Sequence, residues 1–486
     1  MKAAILSAHL LALIPIILAG CGPSENPASP IAESSGDIAE LASEPAAEAP
    51  YWGYVFPEID YGGYEFRITS QIFPNAVNEI VTERENGEVI NDAIYKRNLI
   101  VEEKLNIAIK NNAQMPFDQM ADFIKRSASA SDDAFDLALC PTWVNGNISQ
   151  TGVFIDLLGV ETLGVRSPWW DQVAIRDVSI GGKLYFAVSN LSVQANQMPW
   201  VIYFNKTMMK DLGLEEPYEL VRKGEWTLDA MLNLMKAAAQ DLNGDGKFAE
   251  GDRFGFIASE GGAAQMLLIG SEIKPIAKDS DDNPALKPPS ERDVTAAEKI
   301  KEMLEKTNGN FLPVVQTTEC FSFMRNESMF ITYNMTIVDI IRDMDDDFGI
   351  LPSPKYEAQQ DSYYSIMGTN TASFGIPVTA GDIGRIGVVV NALSAVSVDT
   401  VRPAYFEFTL RRKRARDDES LDMLEIISST RVFETSQIFG WGNITSAYMD
   451  NVGNRKNESL FTVFEKYSAP AQSAIDKSLK TFMEMD

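Results

Sequence analysis

The chain has 486 residues and carries 42 Lys and Arg against 69 Asp and Glu, a formal net charge of −27. That acidity argues against nucleic acid and anionic membrane surfaces as partners, since both repel a strongly negative body. At 45% hydrophobic and 23% charged it reads as a globular chain, long enough for two domains of ordinary size.

Residues 1–20 predict a secretory leader: Lys2, an apolar run from Ile5 to Leu18, then small residues before Cys21. The run is short for a bilayer span and holds Pro15. Leu18-Ala19-Gly20-Cys21 resembles the bacterial lipobox, which implies cleavage before Cys21 and a lipid on that cysteine. The single histidine, His9, falls in the leader, so the mature chain is expected to lack Ser-His-Asp and Cys-His catalysis and histidine zinc sites. Residues 21–50 are rich in Pro, Ala, Ser and Glu and predict a disordered tether. Cys140 and Cys320 remain, either paired or as two buried thiols.

The folded body opens after a Gly62-Gly63 turn. A strand over Tyr64–Thr69 is followed by an amphipathic helix over Asn91–Leu105 and a strand over Asn106–Lys110. A helix over Phe117–Ser129 leads to a nearly all-apolar strand over Phe135–Cys140. That alternation is a doubly wound α/β pattern, whose ligands bind beyond the C-terminal strand ends. Trp143, Asn145 and Asn147, just past the third strand, are therefore candidate contacts: an indole to stack on a ring and amides to bond hydroxyls. Packed turn residues are the alternative. Gly181-Gly182 marks a hairpin-like turn. Gln194, Asn196 and Gln197 follow as neutral hydrogen-bonding candidates.

Trp200–Phe204 reads as a buried strand and Thr207–Leu212 as a short helix. Gly213 suits a left-handed cap, Pro217 stops continuation, and Thr227 caps a helix with apolar residues at 231, 232, 235 and 238. The succession Tyr203, Asn205, Lys206, Leu212, Gly213, Pro217, Trp226, Thr227 resembles the extracellular solute-binding proteins of ABC importers, family 1, the carbohydrate-binding group. In that family this strand lies just after the chain first crosses between two lobes.

Asp241-Leu-Asn-Gly-Asp-Gly-Lys-Phe-Ala-Glu-Gly-Asp252 has the spacing of an EF-hand-type loop. Asp241, Asn243 and Asp245 stand at positions 1, 3 and 5, with Gly246 at the sharp turn. The Lys247 carbonyl comes next, and Asp252 stands at position 12 in place of glutamate. A structural calcium ion is expected there, and a metal-free Asp-Asn-Gly turn is the alternative. Gly261–Ile273 predicts a helix, and Lys274–Arg292, with four prolines, a loose exposed excursion. Val294–Thr307 predicts a helix and Ser328–Asn334 a buried strand that brings Asn334 to its end as a polar contact. Phe348–Pro352 resembles the family's strand leading back into the first lobe.

Gly368–Pro377 resembles the strand that in this family precedes a long helix, which is Asp382–Val396, with apolar residues at 383, 386, 388–390 and 393. The basic run Arg411–Arg416 reads as a solvated face, or as a docking site for a partner. Trp441, in a loop after Phe439, is a second candidate for stacking on a sugar at the cleft.

The resemblance implies a type II, periplasmic-binding-protein-like α/β fold: two lobes, each a doubly wound sheet with helices on both faces, joined by a hinge. The expected division is 51–198 with 330–400 for the first lobe, and 199–329 with 401–486 for the second. The implied protein is a monomeric, lipid-anchored capture protein on the outer face of the cell membrane. It would bind a sugar or oligosaccharide at Trp143, Asn145, Asn196, Asn334 and Trp441, then deliver it to the permease subunits of an ABC importer, with no catalytic residue. A two-carboxylate glycoside hydrolase and a non-transport surface adhesin are the other classes the sequence admits.

Overall fold

The computed structural model describes residues 50–72, 80–315, 318–406 and 418–485. The leader, Cys21, the tether up to residue 49 and the basic run Arg411–Arg416 lie outside the described residues. The strands, in chain order, are β1 (Tyr64–Gln71), β2 (Ile107–Met115), β3 (Leu137–Pro141), β4 (Trp200–Asn205), β5 (Phe254–Ala258), β6 (Ile276–Lys278) and β7 (Pro284–Leu286). They continue with β8 (Phe311–Pro313), β9 (Ser328–Asn334), β10 (Phe348–Leu351), β11 (Ser365–Ile366), β12 (Ala372–Gly375) and β13 (Arg431–Val432).

One sheet has the order β12-β3-β1-β2, with β1 parallel to both neighbours and β12 antiparallel to β3. Parallel neighbours need crossovers, which the helices Val89–Leu105 and Phe117–Ala130 supply. Every residue of β3 is buried, which is why its sequence carries no polar alternation. The other large sheet has the order β10-β4-β9-β5-β8. Within it lies β4, between β10 and β9, whose residues are all buried and whose two faces feed two cores. Ile202 and Phe204 join the large core with Trp226 and Met231, while Val201 and Tyr203 pack with Phe254, Ile331 and Phe348. The capping signals act as expected: Thr227 Oγ1 accepts from Ala230 N at 3.3 Å, and Gly213 takes a φ of +66°.

The expected lobe boundaries at 330 and 400 are corrected. Both β9 and β10 belong to the second sheet, pairing antiparallel with β4 on either side (Trp200 opposite Asn334, Leu351 opposite Ile202). The reason is the buried stretch Ser328–Thr332, with Met329–Ile331 as its apolar part, which lies between β4 and β5. The chain rejoins the first sheet at β12. At the other boundary, the helix Val401–Phe406 packs on Val89–Leu105 and on Ile383–Asp399, with Tyr405 beside Ile90 and Ile94. It therefore extends the first lobe.

Three stretches connecting the two sheets run side by side. Pro199 bridges Met367, Gly368 N donates to Met198 O at 2.9 Å, β11 pairs parallel with β13, and Met367 N donates to Val432 O at 2.9 Å. Lys274–Arg292 is ordered by a β6–β7 hairpin and by Ser290, which caps the helix Glu291–Met303 in a reciprocal capping box with Asp293. Cys140 and Cys320 are both buried, with no disulfide between them. No helix among the described residues is long and apolar enough to cross a membrane.

Candidate ligand-binding site

In both sheets strand ends lie beside the three crossings. From the first sheet come Gln71 at the end of β1 and the helix Thr142–Ser149 directly after β3. Trp143, half-buried, stands on that helix's first turn, and its Nε1 donates to the exposed Asn370 Oδ1 at 3.1 Å. The segment 368–371 is pinned beneath it: Thr142 N donates to Thr371 O at 2.9 Å and Trp143 N to Thr369 O at 3.3 Å. From the second sheet come Trp200 at the start of β4 and Tyr333 and Asn334 at the end of β9. The Trp200 and Tyr333 rings lie 5.3 Å apart, tilted by 44°. Gly368 joins the two groups, because a Cβ there would stand 3.2 Å from Trp200 Nε1. That indole N–H has no hydrogen-bond partner among the described residues. Two indoles, a phenol and neutral amides thus bracket the crossing. Such a surface stacks on apolar ring faces and exchanges hydrogen bonds with hydroxyls.

Comparison with solved structures places this architecture. A cyclic α-maltosyl-1,6-maltose binding protein from Arthrobacter globiformis superposes with a TM-score of 0.58 at 12% identity, over 85% of this chain and 99% of that one. An ABC substrate-binding protein from Listeria monocytogenes, in complex with cycloalternan, gives 0.53 at 13% identity, over 86% and 99%. The GacH receptor of Streptomyces glaucescens, solved unliganded and with acarbose, gives 0.51 at 12% identity, over 87% and 98%. The chain has the two-lobed fold of ABC solute-binding proteins. No protein-family profile matches the sequence, and no curated protein matches it by sequence.

Within this fold the residues singled out from sequence have separate fates. Trp143 stands at the strand-end edge beside the crossing, and Asn147, exposed one helical turn later, donates from Nδ2 to Trp143 O at 2.7 Å. Asn334 sits opposite Trp200, but its Oδ1 is taken by Thr336 N at 3.1 Å, capping the next turn. Asn145 is corrected: it is fully buried, and its Nδ2 holds Ser373 O and Oγ at 3.1 and 2.9 Å, tying the helix to β12. Trp441 is corrected as well. It has no exposed surface, stacks on Phe439 at 5.0 Å and 10°, and donates from Nε1 to Ser478 Oγ at 2.9 Å. The sequence places it in a loop, but the helix Leu460–Glu484 closes over that loop. Asn196 lines a different hollow, with Pro199, Phe406 and Arg431. Trp200, Tyr333 and Asn370 were absent from the sequence candidates. Aromatic residues at the strand ends nearest a crossing are the signal that points to the first two.

The loop Asp241–Asp252 closes on its own hydrogen bonds. Asp241 accepts from Gly244 N at 2.7 Å and Gly246 N at 2.8 Å, Asn243 from Asp245 N at 2.8 Å, and Asp245 from Lys247 N at 2.9 Å. Asp252, 1% exposed, accepts from Leu242 N at 3.0 Å and Ala249 N at 2.9 Å. The Ala249 and Leu242 N–H groups hold its carboxyl below the ordinary carboxylate range. Among the described residues no group of three or more His, Cys, Asp or Glu side chains could hold a metal ion. As arranged, the carboxylates serve the turn.

Beside the third crossing, Arg176, Asp177, Lys274, Lys278 and Glu434 line a cavity of about 230 Å³. Glu434 is buried, accepts from Gln437 N at 2.9 Å and Ser436 Oγ at 3.0 Å, and has its carboxyl pushed up by burial. The folded state therefore holds this proton more tightly than the unfolded chain does. Stability contributed by the protonated form is complete at pH below the unfolded value, about 4.3, and is lost as pH rises through the raised folded pKa. Glu434→Gln keeps an acceptor for Gln437 N and removes the titration. Urea unfolding between pH 4 and 8 is expected to give the variant a flatter stability profile and a gain at neutral pH. Parallel profiles would show that Glu434 does not titrate in that range.

Proposed function

We propose that this protein captures an extracellular carbohydrate between its two lobes and delivers it to an ABC importer. The observation that carries this reading is the set Trp143, Trp200, Tyr333 and Asn370 at the crossing of a fold whose solved examples above hold oligosaccharide-type ligands. In the proposed cycle the three adjacent crossings act as the hinge, and ligand shifts the population from open to closed, the form a permease reads. Capture without catalysis is the role proposed. Cys21 would carry the lipid that holds the protein, as a monomer, at the outer face of the cell membrane, with residues 22–50 as its leash. Calcium at Asp241, Asn243, Asp245, Lys247 and Asp252 belongs to this proposal on its spacing alone. The ion would have to draw those side chains off the backbone N–H groups they now hold.

The test is the melting temperature of the purified protein across a panel of mono- and oligosaccharides, peptides and calcium. A ligand that binds only the folded state raises it by mass action, about 2.7 kcal/mol of stabilisation at a hundredfold excess over Kd. A shift confined to a class of sugars is expected. A shift with peptides alone would overturn the carbohydrate reading, and no shift with calcium would remove the ion.

A further inference from the structure

On the face of the crossing formed by the helices Val401–Phe406 and Asp418–Ser429 lies a polar hollow of about 130 Å³, lined by Trp52, Trp170, Asp171, Asn196, Arg402 and Arg431 among others. Its chemistry is one-sided. Trp170 is 2% exposed and its indole N–H has no hydrogen-bond partner. Asn196 Nδ2 and Arg431 Nε are likewise buried without a partner. Arg402 adds a guanidinium that sits 5.0 Å from the Trp52 ring and 5.6 Å from the Phe406 ring.

Among the described residues lining the hollow, the one carboxylate, Asp171, is already committed. Asp171 Oδ1 accepts from Val173 N at 3.1 Å and Ala174 N at 3.0 Å, capping the helix Gln172–Val178, and Oδ2 takes Arg431 Nη1 at 3.0 Å. Buried donors left in this state are costly, and a tryptophan N–H that is buried ordinarily finds an acceptor. Guanidinium groups with converging N–H donors match the oxygens of a carboxylate or phosphate group. Around the hollow, Trp170 is fixed by its bridge to Ser189 and its contact with Phe374 at 5.2 Å. Trp52 is held through the neighbouring Tyr51 N, which donates to Asp399 at 2.6 Å. The donors are therefore set by the fold before any ligand arrives.

We propose that this hollow binds a small oxyanion, a carboxylate or phosphate-type group, in a site separate from the Trp143–Trp200 crevice and independent of the carbohydrate reading. The experiment is calorimetric titration of the full-length protein with sodium phosphate, sulfate and acetate at constant ionic strength, with sodium chloride as reference. Saturable binding at about 1 mM or tighter is expected for at least one oxyanion. A tetrahedral preference would assign a phosphate-type group and an acetate preference a carboxylate. Trp170→Phe keeps the ring and loses the N–H, and is expected to weaken binding about tenfold. Arg402→Gln is expected to weaken it further. Heats equal to chloride for all three anions would show that the hollow holds only water and would overturn the proposal. Undiminished binding by a folded Trp170→Phe would overturn it too, by moving the anion elsewhere.

Discussion

Trp441→Ala is expected to lower the free energy of unfolding by about 3–5 kcal/mol while leaving carbohydrate affinity unchanged. The indole has no exposed surface, lies parallel to Phe439, and gives its N–H to Ser478. Removing it opens a cavity beside Phe439 and the C-terminal helix, which a close-packed interior refills only in part. Ser478 Oγ keeps other partners in Ala474 O and Gln150, so the lost hydrogen bond is the smaller share. Urea unfolding measures the first quantity and calorimetric titration with the sugar found by melting measures the second. A variant of wild-type stability that no longer binds sugar would return Trp441 to the crevice and undo the structural assignment.

Trp143→Ala should do the reverse. Loss of one stacking face is expected to weaken sugar binding about tenfold, equivalent to about 1.4 kcal/mol. The half-buried ring leaves a gap open to solvent, so stability should fall by no more than about 1–2 kcal/mol. Trp143→Phe, which retains a stacking face but cannot donate to Asn370 Oδ1, separates stacking from amide positioning. Near wild-type binding by the phenylalanine variant would assign the contribution to the ring. Unchanged affinity in the alanine variant would place the sugar outside the crevice described above.

The contrast between these two tryptophans shows what the sequence could and could not convey. Strand β4 was legible because five consecutive apolar or aromatic residues, Trp200–Phe204, bounded by Asn205, fit a strand buried on both faces. The first sheet was legible for the same reason, its strands alternating with amphipathic helices. Partners were not legible. Ser328–Asn334 and Phe348–Leu351 are good strands in isolation, and nothing local says that both flank β4 and delay the return to the first sheet. Nor does sequence reveal which side of a short helix faces inward. Two residues separate Trp143 at the edge from Asn145 in the core, because a helix turns by over half a revolution in that distance. Trp441 was misplaced for a longer-range reason: its cover, Leu460–Glu484, is a separate helix further along the chain.

One feature of the first sheet bears on how the chain comes into being. Strand β3, buried along its whole length, has its outer edge covered by β12, and Ser373 Oγ reaches Cys140 O across 233 residues. During synthesis that edge has no native partner until the entire second sheet has been made. A ribosome-bound or truncated chain ending before Ala372 therefore presents an apolar strand edge open to pairing with another chain. The first sheet is not built from one continuous segment of the chain, and synthesis completes the strands of the second before those of the first.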